Sequence, residues 1–315
     1  MEIIRGLHNI REHHKGAVVT IGNFDGVHLG HQMILEQVDQ KAESLETKSM
    51  LICFEPQPKE FFDLYKAPAR LTRFREKVEL LAEHGISRVL CLKFNEEVRS
   101  MSSARFISLL VDKLEVKALF VGDDFKFGND REGNFSTLEE AGIVYDFSVY
   151  NMYTLDFQQQ RVSSTRIREC LASGQFELAE KLLGHPYSIS GKVIYGRQLG
   201  RTLGVPTANI QLNRYVAPIS GVFACNMFVD NESVPGVANV GVRPTVDDKT
   251  LTPILEVHLL NFGRSIYGKS VKVVFLAKIR DEKKFENLEA LKFAINSDIR
   301  STEDFFRLNP NRKKT

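Results

Sequence analysis

From Ala17 to about Gly184 the hydrophobic positions alternate between two textures. Short, largely apolar runs at 17–21, 50–54, 89–92 and 118–121 have the continuous character of strands buried on both faces. Between them Phe74, Val78 and Leu81 recur at helical spacing, as do Phe106, Leu109, Leu110 and Leu114. Strand and helix in alternation predict a parallel α/β sheet. After Gly184-His185-Pro186 the texture changes to short valine-rich pieces bounded by turns, at 188–195, 221–229, 237–241, 254–260 and 271–277. Such pieces predict a small antiparallel barrel, and Leu288, Leu291, Ile295 and Ile299 predict one helix closing it. The switch of period divides the chain into domains 1–184 and 185–315.

Composition narrows the classes of function. The 315 residues, 43% hydrophobic and 26% charged, suffice for two cores and give no sign of disorder. A net charge of +2 lacks the basic excess that nucleic-acid binders use to neutralise phosphates. Cys53, Cys91, Cys170 and Cys225 are scattered without a C-x-x-C pair, so neither a zinc knot nor a disulfide framework is expected. No apolar run approaches the roughly 18 residues of a membrane span, and the basic first residues lack the apolar core of a secretory signal. The expectation is a cytoplasmic protein without nucleic-acid or membrane partners, either a monomer or a weak homo-oligomer.

The sharpest local feature is Gly22-Asn23-Phe24-Asp25-Gly26-Val27-His28-Leu29-Gly30-His31, directly after the first apolar strand and before a helical stretch. In an α/β sheet this junction lies at the carboxyl edge, where ligands bind. Glycines let the backbone approach a ligand closely, and a helix N-terminus offers free N–H groups to phosphate. His28 and His31, three apart, can face the same phosphate oxygens and stabilise a leaving pyrophosphate. The plain alternative is a Gly-rich turn with incidental histidines; zinc is disfavoured because the pair leaves the coordination sphere incomplete. Further on, Ser163, Ser164, Thr165 and Arg168 precede an amphipathic stretch, where hydroxyls either cap a helix or hold phosphate and the arginine adds a forked charged contact.

In the second half, Gly196, Gly200 and Gly204 interleave with Arg197 and Arg201, a pattern suited to a basic flap over phosphates, although not a Walker loop. Thr207 and Asn209 are neutral oxygen donors of the kind that orient magnesium on a nucleotide; a simple Gly/Pro turn is the alternative. Glu256 alternates with Leu255 and Val257, so it faces away from them, either merely solvated or acting as a general base in phosphoryl transfer.

The two N-terminal elements resemble nucleotidyltransferases carrying His-x-Gly-His and Ile-Ser-Ser-Thr-x-x-Arg, with Val162 replacing the isoleucine. The fuller set is similar to bacterial bifunctional riboflavin kinase/FAD synthetases: 22–31, Phe54-Glu55-Pro56-Gln57-Pro58, 121–128, 196–209, 241–245, 255–259 and Tyr267-Gly268-Lys269, in order. These matches run from Gly22 to about Asp298.

The resemblance implies a Rossmann-like nucleotidyltransferase domain with a parallel sheet, followed by a six-stranded antiparallel riboflavin-kinase-like β-barrel with a terminal helix. It implies transfer of AMP from ATP to FMN, giving FAD and pyrophosphate without a covalent enzyme intermediate, and phosphorylation of riboflavin by ATP, giving FMN and ADP. His28 and His31 then steady the ATP phosphates, Ser163, Ser164, Thr165 and Arg168 hold the nucleotide, and Gly22, Phe24 and Asp25 line its cradle. Pro56, Pro58, Phe62 and Asp124 lie near the flavin, with Phe62 alternatively an ordinary core aromatic. Gln57 departs from the histidine of many relatives. In the kinase, Gly196, Arg197, Gly200 and Arg201 cover the nucleotide, Thr207 and Asn209 assist Mg2+, Glu256 activates the ribityl hydroxyl and Arg243 borders the flavin. Arg280 and Phe285 also match, without an assigned role. The competing readings are a riboflavin kinase whose N-terminal domain is inactive, and a non-catalytic flavin or nucleotide sensor.

Overall fold

The computed structural model describes residues 1–122, 124–196, 204–244 and 251–314. Arg197, Gly200 and Arg201 lie outside the described residues, and of Arg243 only the backbone is described. The chain forms two units, one of residues 1–68 and 72–163, the other of 69–71 and 164–315.

In the first unit the strands are β1 (Glu2–Arg5), β2 (Val18–Ile21), β3 (Ser49–Glu55), β4 (Arg88–Lys93), β5 (Ala118–Gly122) and β6 (Ser148–Met152). Every pairing is parallel, in the order β1-β4-β3-β2-β5-β6. The helices are α1 (Leu29–Ser44), α2 (Pro58–Phe62), α3 (Phe74–Glu83), α4 (Glu96–Arg99), α5 (Ser103–Ser108) and α6 (Phe135–Tyr145). The apolar runs are continuous because successive side chains feed two cores. Val19, Ile21, Ile52 and Leu90 enter one core, whereas Val18, Leu51, Cys53, Val89 and Cys91 enter the other with Leu35 and Leu81 of α1 and α3.

The four central strands match the expected runs. The edge strands β1 and β6 do not announce themselves, since each buries only one residue, Ile4 and Met152. From β2 the chain builds one way through β3 and β4 and the other way through β5 and β6. The carboxyl end of β2 is therefore the topological switch point. A short hairpin, β7 (Asp156–Phe157) with β8 (Gln160–Arg161), ends this unit.

The second unit opens with α7 (Ser164–Ala172) and α8 (Phe176–Leu183). A closed barrel follows: β9 (Ser188–Ile194), β10 (Ala208–Gln211), β11 (Gly221–Val229), β12 (Glu232–Pro244), β13 (Leu251–Leu259) and β14 (Ser270–Arg280). All its pairings are antiparallel, in the order β10-β13-β12-β11-β14-β9. Phe223 and Phe275 meet edge to face inside it, 5.5 Å between centroids, and Phe176 of α8 packs on Phe223 at the same distance.

The last helix, α9 (Leu288–Leu308), is longer than the apolar repeat suggests, and its buried line differs. Asp298, Thr302 and Phe306 are buried, while Leu288 is 68% exposed. The polar Asp298 is accommodated because Arg280 binds it through two hydrogen bonds, Nε to Oδ1 and NH2 to Oδ2, each 2.8 Å. The four cysteines are free and buried. Among the described residues no helix is long and apolar enough to cross a membrane.

Candidate functional site

The first site grows from the end of β2. Phe24, Gly26 and Val27 have φ of 46°, 86° and 41°, so the loop turns through the left-handed region, which a β-branched residue such as Val27 adopts only under restraint. The restraint is Asp25. Its buried carboxylate accepts hydrogen bonds from the backbone N–H of Thr72 (2.9 Å) and the Thr72 hydroxyl (3.3 Å), and Gly26 N–H donates to Thr72 Oγ1 (2.9 Å). The loop is thereby tied to the segment that starts α3. At Gly22 a Cβ would lie 3.0 Å from the Phe24 ring, so any larger residue presses on the stack that Phe24 joins.

His28 caps α1: its Nδ1 accepts from the His31 backbone N–H at 3.4 Å, which leaves the ring proton on Nε2. The two imidazoles stack, 3.6 Å between centroids and 16° apart, and Phe24 continues the pile 4.6 Å from His31. Burial, and then the charges of His28 and Lys77, hold His31 well below the ordinary histidine range, so its ring is neutral at physiological pH. His31 Nδ1 is buried without a hydrogen-bond partner among the described residues. A histidine pair at a helix N-terminus, beside free backbone N–H groups, suits an anion.

Other candidates in this unit surround the carboxyl edge. Pro56 and Pro58 are half-buried in the turn after β3, and Pro58 is the first residue of α2. Phe62 does not fill the core. It is 64% exposed, in edge contact with Phe61 and Phe94 and beneath the Arg99 guanidinium at 5.7 Å. A large exposed ring next to others is apolar surface available for stacking. Asp124 is exposed and pairs with Arg161 at 3.4 Å. The hydroxyl run is divided between the units: Ser163 is the last residue of one, while Ser164, Thr165 and Arg168 open α7 in the other. There Arg168 Nε donates to Ala69 O at 2.5 Å.

In the barrel, backbone register aligns three polar side chains. Glu256 on β13 pairs with Asn209 on β10 and with Asn239 on β12, so all three share one face, and all three are half-buried. Leu255 and Val257 point the opposite way into the core, as the alternation predicts. His258 Nδ1 donates to Pro206 O at 2.8 Å, which fixes the approach to Thr207, itself half-buried. At Gly196 a Cβ would fall 2.3 Å from the Asn209 amide, so a larger residue there would displace the Asn209 side chain.

The profile described as FAD synthetase matches residues 10–166, and the one described as riboflavin kinase matches 183–306. The bifunctional riboflavin kinase/FMN adenylyltransferase of Pseudomonas fluorescens is 50% identical over 95% of this chain and 96% of its own length. Its namesake in Escherichia coli K12 is 46% identical over 98% and 99%. The chain belongs to the bifunctional riboflavin kinase/FMN adenylyltransferase family. A solved structure named as a macrolide-efflux protein from Streptococcus pneumoniae is 27% identical, with TM-score 0.80 over 96% of this chain and 98% of that one. That likeness carries the fold.

Within a riboflavin kinase/FMN adenylyltransferase the barrel row acquires chemical sense. The oxygens of Thr207 and Asn209 are hard donors that fit a divalent cation carried by ATP phosphates, with the Glu256 carboxylate beside Asn209 in register. The other cluster of possible ligands among the described residues is Glu2, His13 and His14. His14 Nδ1 accepts from Arg11 N–H (2.9 Å), so its Nε2 carries the proton given to Glu2 (2.8 Å) and offers a metal no lone pair. Sequence reasoning missed Thr72, Asn239 and His258. Asn239 lies between buried Ala238 and Val240, a signal for an outward position, but its pairing with Glu256 depends on strand register.

Proposed function

We propose that residues 1–184 carry out adenylyl transfer at the His28–His31 site and that residues 185–315 carry out phosphoryl transfer at the Asn209–Glu256–Asn239 row. The family's two activities are riboflavin kinase and FMN adenylyltransferase, and both use ATP. The observation that carries the assignment is the stacked histidine pair on the first turn of α1, at the switch point of the parallel sheet.

In the first reaction a phosphate oxygen of FMN attacks the α-phosphorus of ATP, and the bond to pyrophosphate breaks. His28 Nε2–H and the free N–H groups of α1 stabilise the charge that gathers on the leaving pyrophosphate. Gly22, Phe24 and Asp25 shape the cradle, Asp25 through Thr72. Ser163, Ser164, Thr165 and Arg168 hold the nucleotide. Pro56, Pro58, exposed Phe62 and Asp124 receive the flavin. Positioning and charge stabilisation supply the catalysis.

In the second reaction Glu256 takes the proton from the terminal ribityl hydroxyl of riboflavin as that oxygen attacks the γ-phosphorus of ATP, releasing ADP. Asn209 and Thr207 hold the divalent cation, which we assign as magnesium. When bound, the cation neutralises phosphate charge and orients the triphosphate. Gly196, Arg197, Gly200 and Arg201 cover the nucleotide, and Arg243 borders the flavin. Incubation with riboflavin, ATP and magnesium tests the proposal. FMN should appear first, then FAD with pyrophosphate; FMN without FAD would remove the adenylyl-transfer assignment, and neither product would remove both.

A further inference from the structure

Lys77 is among the largest fully buried side chains of the described residues, 0% exposed, and its Nζ has no hydrogen-bond partner among them. Its position on α3 is a core position: Phe74 and Leu81, three residues before and four after, pack in the cluster that contains Cys53 and Cys91. A lysine in such a place, without a hydrogen-bond partner among the described residues, is costly to hold as a cation, and an arriving anion offsets that cost.

The location indicates which anion. α3 joins parallel strands β3 and β4, so its first turn lies at the carboxyl edge of the sheet. The Asp25–Thr72 hydrogen bonds dock the start of that helix on the loop from β2, and Lys77 follows five residues later, on the inward side. Lys77 acts electrostatically on His31 of α1 and on Cys53 and Cys91, register neighbours on β3 and β4. His31 Nδ1 is itself buried without a partner among the described residues. Lys77 and His31 thus stand on helices α3 and α1 that pack in the same core, each with a buried nitrogen that has no hydrogen-bond partner among the described residues, in a low-dielectric setting where a unit charge reaches further than in water.

We propose that Lys77 is a buried positioning cation of the adenylyl-transfer site, which attracts the triphosphate and the leaving pyrophosphate from behind His31. This inference rests on the reading of His28 and His31 given above.

The test compares Lys77→Met and Lys77→Gln with wild type in the full-length enzyme. FAD formation, inhibition of that reaction by added inorganic pyrophosphate, thermal unfolding and riboflavin kinase rate are measured. The expected result is pyrophosphate inhibition weakened roughly tenfold, with a parallel fall in kcat/KM for ATP in FAD formation, as for loss of a unit charge acting without contact across a low-dielectric wall. The kinase rate stays unchanged and the unfolding temperature holds or rises, because an unpaired buried charge has been removed. A merely structural lysine would lower the unfolding temperature and leave pyrophosphate inhibition within twofold of wild type; that result overturns the inference. Failure of both variants to fold, while wild type folds, also overturns it, since Lys77 would then be a packing requirement. His28→Ala with His31→Ala is measured alongside. If that enzyme still makes FAD at the wild-type rate, the histidine assignment itself fails; if it does not and the Lys77 variants do, only the present inference fails.

Discussion

The imidazole rings of His28 and His31 are stacked, 3.6 Å between centroids, with His28 capping the helix on which His31 stands. One ring thus holds the other in place, and the pair acts as a unit. Replacing both by alanine is expected to reduce FAD formation at least about 100-fold, the scale of one lost transition-state donor, while FMN formation persists. Product chromatography from riboflavin and ATP measures both steps together.

The same pair gives a stability dependence on pH. His31 is held neutral in the fold, its pKa well below the ordinary value, chiefly by burial. Below about pH 6.5 the unfolded chain binds a proton that the folded chain refuses, so stability falls as pH drops from there toward the folded pKa. Above that range both states are neutral at this position and the contribution is flat. Thermal unfolding at pH 7.5 and 5.5 should give a larger loss for wild type than for His31→Gln; equal losses would contradict the assignment.

Thr72 receives and gives hydrogen bonds in the turn that carries Phe24 and Val27 at positive φ. Thr72→Val removes two of the bonds, both in a buried place. A destabilisation of about 1–3 kcal/mol is expected, with FAD formation reduced more than FMN formation. Chemical denaturation with two product assays checks it.

Glu256→Gln should lower riboflavin phosphorylation at least about 100-fold, the lower range for loss of a general base, without slowing conversion of supplied FMN to FAD. Asn239→Ala, which removes the register neighbour of Glu256 on β12, should give a smaller loss in the same assay. A kinase rate unaffected by either substitution would remove the role of this row.

Arg280 and Asp298 tie the barrel to its last helix. Asp298 is 8% exposed in its side chain and Arg280 28%, so Arg280→Met strands a buried carboxylate. The expected cost is about 2–3 kcal/mol, below that for a fully buried pair because Arg280 keeps some solvent. Asp298→Asn in the same background should recover part of it, as a double-mutant cycle by thermal unfolding would register.

A kinase fragment beginning at residue 164 should be more stable than one beginning at 185. α7 and α8 belong to the barrel's unit, Phe176 packs on Phe223 and Lys278 Nζ reaches Ala172 O. Unfolding temperatures of the two fragments decide this.

The sequence by itself determined the order of layers, a parallel α/β sheet and then an antiparallel barrel, because the periods 3.6 and 2 and short, largely apolar runs record which faces meet a core. It also determined the chemistry on offer, since the histidines, hydroxyls and Glu256 stand at strand ends and outward positions that local pattern can locate. Only the tertiary structure decided the rest. Edge strands β1 and β6 bury too little to leave a pattern; the choice for Phe62 between flavin surface and core falls to its exposure in the fold; the burial of Lys77 leaves no mark in the sequence. The pairing of Asn239 with Glu256 and of Asp25 with Thr72, 47 residues apart, depends on register and docking. Such contacts join distant segments through packing of the whole, and local residue choice carries no record of them.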